Sequence, residues 1–119
     1  MNTENAKAQM RKGILEYCIL LVLSHNDMYA TDLINHLRKV QLIVVEGTLY
    51  PLLMRQKNAG LLTYRWEEST QGPPRKYYTI TDEGRAILQD LDNSWNELIT
   101  SVNSLKVATA GSNDSQVTA

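Results

Sequence analysis

The chain has 119 residues, of which 43% are hydrophobic and 21% charged, and its formal net charge is −1. These values are ordinary for one soluble globular domain. The single cysteine, Cys18, excludes an intrachain disulfide and a cysteine-rich zinc site. The apolar run at residues 14–23 is too short to cross a membrane, and no signal-peptide cleavage site follows it. Together these features predict a cytoplasmic protein with no membrane partner.

The first predicted element is a helix over residues 5–24. Between residues 14 and 23 it is apolar nearly all round, whereas a surface helix has one apolar stripe. We therefore expect this helix to be covered on two sides, by its own domain and by a second subunit. Cys18 lies in this run and is expected to be buried as a small hydrophobic residue.

Two shorter helices are predicted next, with a brief link at residues 41–45. The first spans about residues 30–40, with Thr31 as its N-cap. The second spans residues 46–59, with Gly60 as the stop signal after it. Pro51 is expected in or next to the first turn of this helix, where few amide donors have partners. This order is that of a helix-turn-helix.

A β-hairpin is predicted after these helices. Residues 61–66 and 77–80 are rich in aromatic and β-branched side chains, which favour strands. Between them a glycine and two prolines form a turn, and Arg75 and Lys76 follow it directly. A hairpin with a basic, stiffened tip behind a helix-turn-helix is a wing. The predicted fold class is therefore mainly α with a small β-hairpin, a winged helix-turn-helix.

A long C-terminal helix is predicted over residues 81–106, with Thr81 as its N-cap. Apolar residues recur along it at alternating spacings of three and four, which is a heptad seam. The seam is too long for this domain to cover alone, which predicts a homodimer. The predicted organisation is a DNA-binding domain at 1–80, a dimerisation helix at 81–106 and a disordered tail at 107–119.

The charges are unevenly distributed along the chain. Residues 38–76 carry seven cations against three carboxylates, whereas residues 77–119 carry two cations against six carboxylates. The basic segment coincides with the third helix and the hairpin. Such asymmetry is typical of a small DNA-binding protein, although so few charges can also be uneven by chance.

The helix at 46–59 is the predicted recognition helix. Leu49, Leu52 and Leu53 are expected to face the core, which leaves the following residues exposed: Thr48, Tyr50, Pro51, Arg55 and Gln56. Hydroxyl groups can bind phosphates or base edges, and arginine can read guanine. The alternatives are a half-buried aromatic ring for Tyr50 and a solvated charge for Arg55. For Arg75 and Lys76 the choice is between contact with DNA and a solvated hairpin.

Several motifs in register resemble the PadR family of transcriptional regulators, in its compact subfamily with a single C-terminal helix. They are Gly-Thr-Leu-Tyr-Pro-Leu-Leu at 47–53, Gly-Leu-Leu at 60–62, Trp-Glu-Glu at 66–68, Gly-Pro-Pro-Arg-Lys-Tyr-Tyr at 72–78 and Thr-Asp-Glu-Gly at 81–84. The resemblance implies a homodimeric winged helix-turn-helix that represses a promoter until an effector binds. Ala30 and Pro73 depart from the family, which often has Gly and Arg there, and Pro73 removes one cation from the wing.

These observations predict a DNA-binding regulator and not an enzyme, with no cofactor and no metal site. The expected partner is a palindromic double-stranded operator, with half-sites about 34 Å apart or a multiple of that distance. The predicted DNA-contacting residues are Tyr29, Thr48, Tyr50, Pro51, Arg55, Gly72, Arg75 and Lys76. An alternative from another class is a winged-helix protein-interaction module that does not bind DNA.

Trp95 lies in the middle of the heptad seam. The matching tryptophan in some compact relatives stacks flat aromatic ligands, which implies a planar aromatic or phenolic effector held by Trp95, Leu91 and Leu98. Packing between subunits is the favoured interpretation of Trp95, and effector binding is the alternative.

Overall fold

A computed structural model describes residues 2–110 of the chain. Its elements are α1 (Thr3–His25), β1 (Met28–Tyr29), α2 (Ala30–Lys39), α3 (Glu46–Asn58), β2 (Leu62–Glu67), β3 (Arg75–Ile80) and α4 (Asp82–Ala110). The predicted class, mainly α with a small antiparallel β element, is confirmed. A helix-turn-helix formed by α2 and α3 precedes the hairpin of β2 and β3, as predicted.

The core is built from apolar residues that recur at helical spacing on α1, α2 and α3 and that face the inner side of the sheet. Its most deeply buried members are Ile19, Leu20, Leu23, Leu33, Leu37, Leu49 and Leu53. Asn2 caps α1, since its side-chain oxygen accepts a hydrogen bond from the Glu4 amide at 2.9 Å. Cys18 is buried as predicted, and this burial raises the pKa of its thiol.

The start of α2 differs from the prediction. Its N-cap is Tyr29 and not Thr31, which lies inside the helix. Tyr29 is held in extended conformation by its pairing with Tyr77 of β3, so the chain passes directly from strand to helix. At the other end α2 stops at Lys39, and Gln41 adopts a left-handed conformation with φ of 68° as the chain turns into the link.

The bounds of α3 agree with the prediction to within one residue, but Gln56 is buried where exposure was expected. Pro51 lies in the second turn, next to the first, and therefore supplies no amide donor to the carbonyl of the exposed Gly47. Gln56 is 2% exposed rather than solvated, because its Nε2 donates to the backbone oxygen of Glu16 on α1 at 3.0 Å. The helix ends at Asn58, and Gly60, with φ of 82°, follows it as the predicted stop.

The sheet has three antiparallel strands in the order β1-β3-β2, one more than the predicted hairpin. The register places Lys76 opposite Trp66 and Arg75 opposite Glu67. The additional strand β1 pairs Met28 with Tyr78. It has only two residues, too few to show the alternation by which strands are recognised in a sequence.

The hairpin is joined to the start of α4 by Thr81. Its hydroxyl accepts a hydrogen bond from the Gly84 amide at 2.9 Å and donates to the Gly60 carbonyl at 2.7 Å, which confirms it as the N-cap. A Cβ at position 84 would lie 2.2 Å from the carbonyl oxygen of Leu61. Only glycine therefore allows this turn of α4 to pack so closely on the chain before β2.

The chain divides into two compact units, Met1–Leu88 and Gln89–Ala119. In the second unit α4 continues to Ala110, four residues beyond the predicted end at 106. The rest of the predicted tail, residues 111–119, lies outside the described residues. On α4, Leu98 is 54% exposed and Val102 and Leu105 are also exposed, whereas Leu91 and Trp95 are half-buried.

Candidate nucleic-acid interface

A groove runs between the N-terminus of α2, one flank of α3 and the hairpin. It consists of a cavity of about 270 Å³ and a smaller one of about 90 Å³ that share Tyr50, Lys76 and Tyr78. We call it the wing groove. Its other principal lining residues are Tyr29, Thr31, Trp66 and Arg75 in the larger cavity and Met54, Lys57 and Tyr64 in the smaller. Aromatic rings and cations thus alternate along one continuous surface.

One flank of α3 supplies three of these side chains. Tyr50, Met54 and Lys57 are spaced by four and three residues, which places them on the same side of a helix. Tyr50 is 44% and Met54 53% exposed. This flank borders the fully buried residues Leu49 and Leu53, so core packing fixes the angle at which α3 presents it.

Lys76 lies over the aromatic rings of the facing strand. Its Nζ is 4.6 Å from the ring centroid of Tyr64 and 5.5 Å from that of Trp66. Lys57 approaches Tyr64 as well, at 5.9 Å. Cation–π contacts of this kind hold an ammonium group in place without neutralising its charge. Among residues 2–110, neither lysine forms an ion pair with a carboxylate.

Arg75 connects the hairpin to the start of α2. Its guanidinium carbon lies 3.9 Å from the ring centroid of Tyr29, and its Nη2 donates to Thr31 Oγ1 at 2.8 Å. The Tyr29 ring is in turn held edge-on against Tyr77, with ring centroids 4.9 Å apart. Arg75 therefore lies against α2, whereas the sequence suggested a cation presented at the tip. It also carries no carboxylate partner among the described residues.

Arg65, on β2, has a different environment from the lining cations. Its guanidinium pairs with Glu67 at 2.5 Å and with Asp27 at 4.0 Å, and it lies 4.6 Å from the ring centroid of Tyr77. The hydrogen bond to Glu67 raises the pKa of Arg65. Its charge is thus largely compensated, although the residue is exposed.

The opposite flank of α3 faces α1. Arg55 forms an ion pair there with the carboxylate of Glu16. Thr48 lines a separate cavity of about 270 Å³ together with Arg11 and Lys12 of α1. The structure thus divides the residues predicted to contact DNA. Four of them line the wing groove: Tyr29, Tyr50, Arg75 and Lys76. Two lie on the flank of α3 that faces α1, namely Thr48 and Arg55. Pro51 is exposed on α3, and Gly72 is in the hairpin loop.

Sequence reasoning missed several residues of the wing groove. Lys57 could have been predicted from the sequence, because it lies two turns after Tyr50 and therefore on the same face of the helix. Trp66 and Tyr64 could not have been predicted in this way, because their position beside Lys76 depends on the strand register. Thr31 was assigned to a cap, yet its hydroxyl accepts the hydrogen bond from Arg75.

Tyr78 forms the floor of the groove. It is buried, and this burial, followed by the proximity of Tyr50 and Tyr64, raises the pKa of its hydroxyl group. It therefore stays neutral near pH 7 and can only act as a neutral hydrogen-bonding group. Among residues 2–110, no cluster of His, Cys, Asp or Glu could hold a metal ion.

The described helices include none that is both long and apolar enough to cross a membrane.

Comparison with known proteins identifies the family. The model of the transcriptional regulator PadR-like family matches residues 19–90. A PadR-like transcription factor from Bacteroides fragilis is 58% identical, with 85% of this chain and 98% of that chain covered and a TM-score of 0.72. A PadR-like transcriptional regulator from Bacillus cereus is 42% identical, with 82% of this chain and 95% of that chain covered and a TM-score of 0.73. A PadR family transcriptional regulator from Eggerthella lenta is 32% identical, with 87% of this chain and 90% of that chain covered and a TM-score of 0.76. The chain therefore belongs to the PadR-like family of transcriptional regulators, which are DNA-binding proteins and not enzymes.

Proposed function

We propose that this chain is a homodimeric repressor that inserts α3 into the major groove and holds the adjacent DNA backbone in the wing groove. The observation that carries this proposal is the lining of the groove. Lys57, Arg75 and Lys76 converge on it, and no carboxylate of the described residues 2–110 lines either of its cavities. A surface built in this way attracts phosphates and releases their counterions.

The proposed contacts follow from the chemistry of each side chain. Tyr50, Pro51 and Met54 are the exposed residues of α3 that would meet base edges or thymine methyl groups. Lys57, Lys76 and Arg75 would bind phosphates, and the Tyr29 hydroxyl could donate to the same strand. Gly72 and the exposed prolines of the hairpin loop would lie beside the neighbouring minor groove.

Dimerisation is proposed through α4. Leu98 and Val102 are about half exposed on this helix and follow the heptad spacing. A second copy would remove these side chains from water at about 25 cal/mol for each Å² of apolar surface. Two-fold symmetry would then require a palindromic operator with half-sites about 34 Å apart or a multiple of that.

The DNA part of the proposal is tested by fluorescence anisotropy with a duplex from upstream of the chain's own gene and a scrambled duplex. We expect tighter binding to the first and an affinity that falls steeply with KCl. Lys76→Ala should lower the salt slope by about 0.9 for each lost phosphate contact. The matched control is Arg65→Ala on the neighbouring strand, which should leave the slope unchanged. Wild-type protein that binds neither duplex would favour a protein-interaction module.

The dimer is tested by sedimentation of Leu98→Asp and Val102→Asp variants. A carboxylate in the apolar seam should produce monomers that bind a palindromic operator more weakly than wild type. Dimers that persist in both variants would show that the seam is not the interface. Asn96→Asp, an exposed change on the same helix, controls for added charge.

Release by an effector is proposed at Trp95, with Leu91 and Leu98 beside it on the same face of α4. A Trp66→Phe variant leaves Trp95 as the sole tryptophan, so its fluorescence can be titrated with planar aromatic and phenolic compounds. We expect quenching by a compound that also weakens operator binding, as thermodynamic linkage requires. No quenching by any compound would leave Trp95 with a packing role only, and quenching without any change in DNA affinity would show a bound compound that does not release the DNA.

A further inference from the structure

A second cavity lies on the flank of α3 that faces away from the wing groove. It is lined by Arg11, Lys12 and Leu15 of α1, by Val44 and Val45 of the link, and by Thr48 of α3. We call it the α1 cleft. Thr48 and Tyr50 are two residues apart, which on a helix places them about 200° apart. The cleft and the wing groove therefore flank α3 on opposite sides.

The charges around the α1 cleft are arranged so that its two cations stay uncompensated. Within the described part of the chain, neither Arg11 nor Lys12 forms an ion pair. Glu16 lies one turn after Lys12 on α1, where it could pair with that lysine. Its carboxylate is instead paired with Arg55.

Glu4, the other carboxylate on α1, is likewise occupied. It pairs with Lys7 at 3.5 Å and does not line the cleft. The cations that face the cleft from α1 therefore keep their charge, and Arg55 of α3 cancels the nearest negative group. The result is a positive surface beside the first turn of the proposed recognition helix.

The first turn of α3 adds to this potential. Its N-cap residue, Val45, provides no side-chain hydrogen bond, and Thr48 presents an exposed hydroxyl group. The amino end of a helix carries partial positive charge and amide donors, both of which favour an anion. The first turn of α3 therefore adds to the positive potential that the cations of α1 produce, but it does not define a binding site by itself.

We propose that the α1 cleft binds the sugar-phosphate backbone of the DNA strand on the far side of the major groove. The proposal rests on the function proposed above. A helix with side chains is about 10–12 Å across and the major groove about 12 Å wide, so an inserted helix has a backbone along each flank. The wing groove holds one strand, and Arg11, Lys12 and Thr48 hold the other. The recognition helix is thus clamped from both sides, and α1 becomes a DNA-contacting helix.

The test compares an Arg11→Ala/Lys12→Ala variant with Lys7→Ala in the salt titration of operator binding. Lys7 lies on the same helix, does not line the cleft and already has a carboxylate partner. We expect the double variant to lower the salt slope by about 1.8 per protomer, at about 0.9 for each lost contact, and Lys7→Ala to leave it nearly unchanged. The conservative pair Arg11→Lys/Lys12→Arg should restore the wild-type slope.

Two results would overturn the inference. An unchanged slope in the double variant, with the dimer intact by sedimentation, would remove α1 from the DNA interface. An unchanged slope together with dissociation into monomers would show that a second copy of the chain occupies the cleft. If the double variant fails to fold, the exposed single change Lys12→Glu gives the same readout, with an expected fall in slope of about 0.9 or more per protomer.

Lys76→Ala is measured in parallel so that the two proposals fail separately. A flattened slope in Lys76→Ala beside an unchanged slope in the α1 variant would reject only the inference about α1. Wild-type protein that binds no duplex would reject the proposed function itself.

Discussion

The arginines of this chain are held in two different ways. In the wing groove, Arg75 lies 3.9 Å over the ring of Tyr29 and donates to a hydroxyl group. On the other flank of α3, Arg55 is paired with the carboxylate of Glu16. Both side chains are ordered by a neighbour and both are charged, but only the field of the first is left uncompensated by a carboxylate.

The difference shows how a chain with a net charge of −1 can present a DNA-binding surface. An aromatic ring orients a cation at an exposed site for about 0.5–1 kcal/mol and leaves its field intact. An exposed carboxylate orients it for a similar gain but cancels that field at the distance of a phosphate. Lys76 lies over rings and has no carboxylate partner among the described residues, so its field stays available to a phosphate, whereas Arg65 lies over Tyr77 but is paired with Glu67.

The largest effect is expected from removal of both wing cations that lie over rings. Arg75→Ala/Lys76→Ala should lower the salt slope of operator binding by about 1.8 per protomer, at about 0.9 for each lost phosphate contact. Affinity at physiological salt should fall at least ten-fold. Anisotropy titrations from low to high KCl measure both quantities. A slope equal to that of wild type would mean that these cations do not meet phosphates.

A smaller effect of opposite sign is expected from Glu16→Gln. This change leaves the charge of Arg55 uncompensated on the α1 flank of α3, so the salt slope should become steeper by up to about 0.9 per protomer. Binding to scrambled DNA should tighten more, in proportion, than binding to the operator. The control is Glu67→Gln, which removes the nearer of the two carboxylates paired with Arg65 and leaves Asp27. Equal gains in both variants would show that any added positive charge has this effect.

The ring beneath Arg75 should contribute a few-fold in affinity. Tyr29→Leu removes a cation–π contact of about 0.5–1 kcal/mol, which corresponds to roughly a two- to five-fold loss of operator binding. Tyr29→Phe keeps the ring and serves as the matched control, with a smaller change expected. If Phe and Leu weaken binding equally, the hydroxyl group of Tyr29 and not its ring is what matters.

The smallest effect concerns stability at alkaline pH. Burial raises the pKa of Cys18 and of Tyr78 above their ordinary values of 9.0 and 10.0. The folded state therefore keeps protons that the unfolded chain loses, so this contribution to stability is complete below pH 9 and declines as pH rises further. Urea unfolding between about pH 8 and 11 measures the decline.

In that experiment a Tyr78→Phe variant separates the contribution of Tyr78 to the pH dependence of stability from that of Cys18. Phenylalanine has no proton to lose, so the decline at the upper end of the range should become shallower. A curve that is flat in both proteins would contradict the stated effect of burial on these two groups.

Much of the fold could be predicted because its signals are local. The bounds of α3, the stop at Gly60 and the cap at Thr81 each depend on residues within one turn of the chain. The wing was evident from two strand-forming segments around a turn rich in proline and glycine. The family motifs are likewise continuous stretches, so the resemblance they carried was confirmed by the match over residues 19–90.

The errors came from partners that are distant in the sequence. Thr31 looked like a cap, but pairing of Tyr29 with Tyr77 moves the helix start to Ala30. Gln56 looked exposed, but the backbone of Glu16 accepts its hydrogen bond. Each correction involves a contact between residues about 40 or more positions apart. A pattern of neighbouring residues contains no information about such contacts.

Local signals in the sequence predicted the four helices and the strands β2 and β3, because capping, turn chemistry and apolar spacing act within a few residues, whereas the two-residue strand β1 forms only through its pairing with β3. The sequence also determined the family, through motifs that keep their order and spacing. The cations that share a surface are brought together by contacts between residues distant in the sequence. The register of β2 and β3 sets Lys76 over Tyr64, and the packing of α1 on α3 joins Glu16 to Arg55. Whether a basic residue keeps or loses its field depends on a neighbour that folding brings to it.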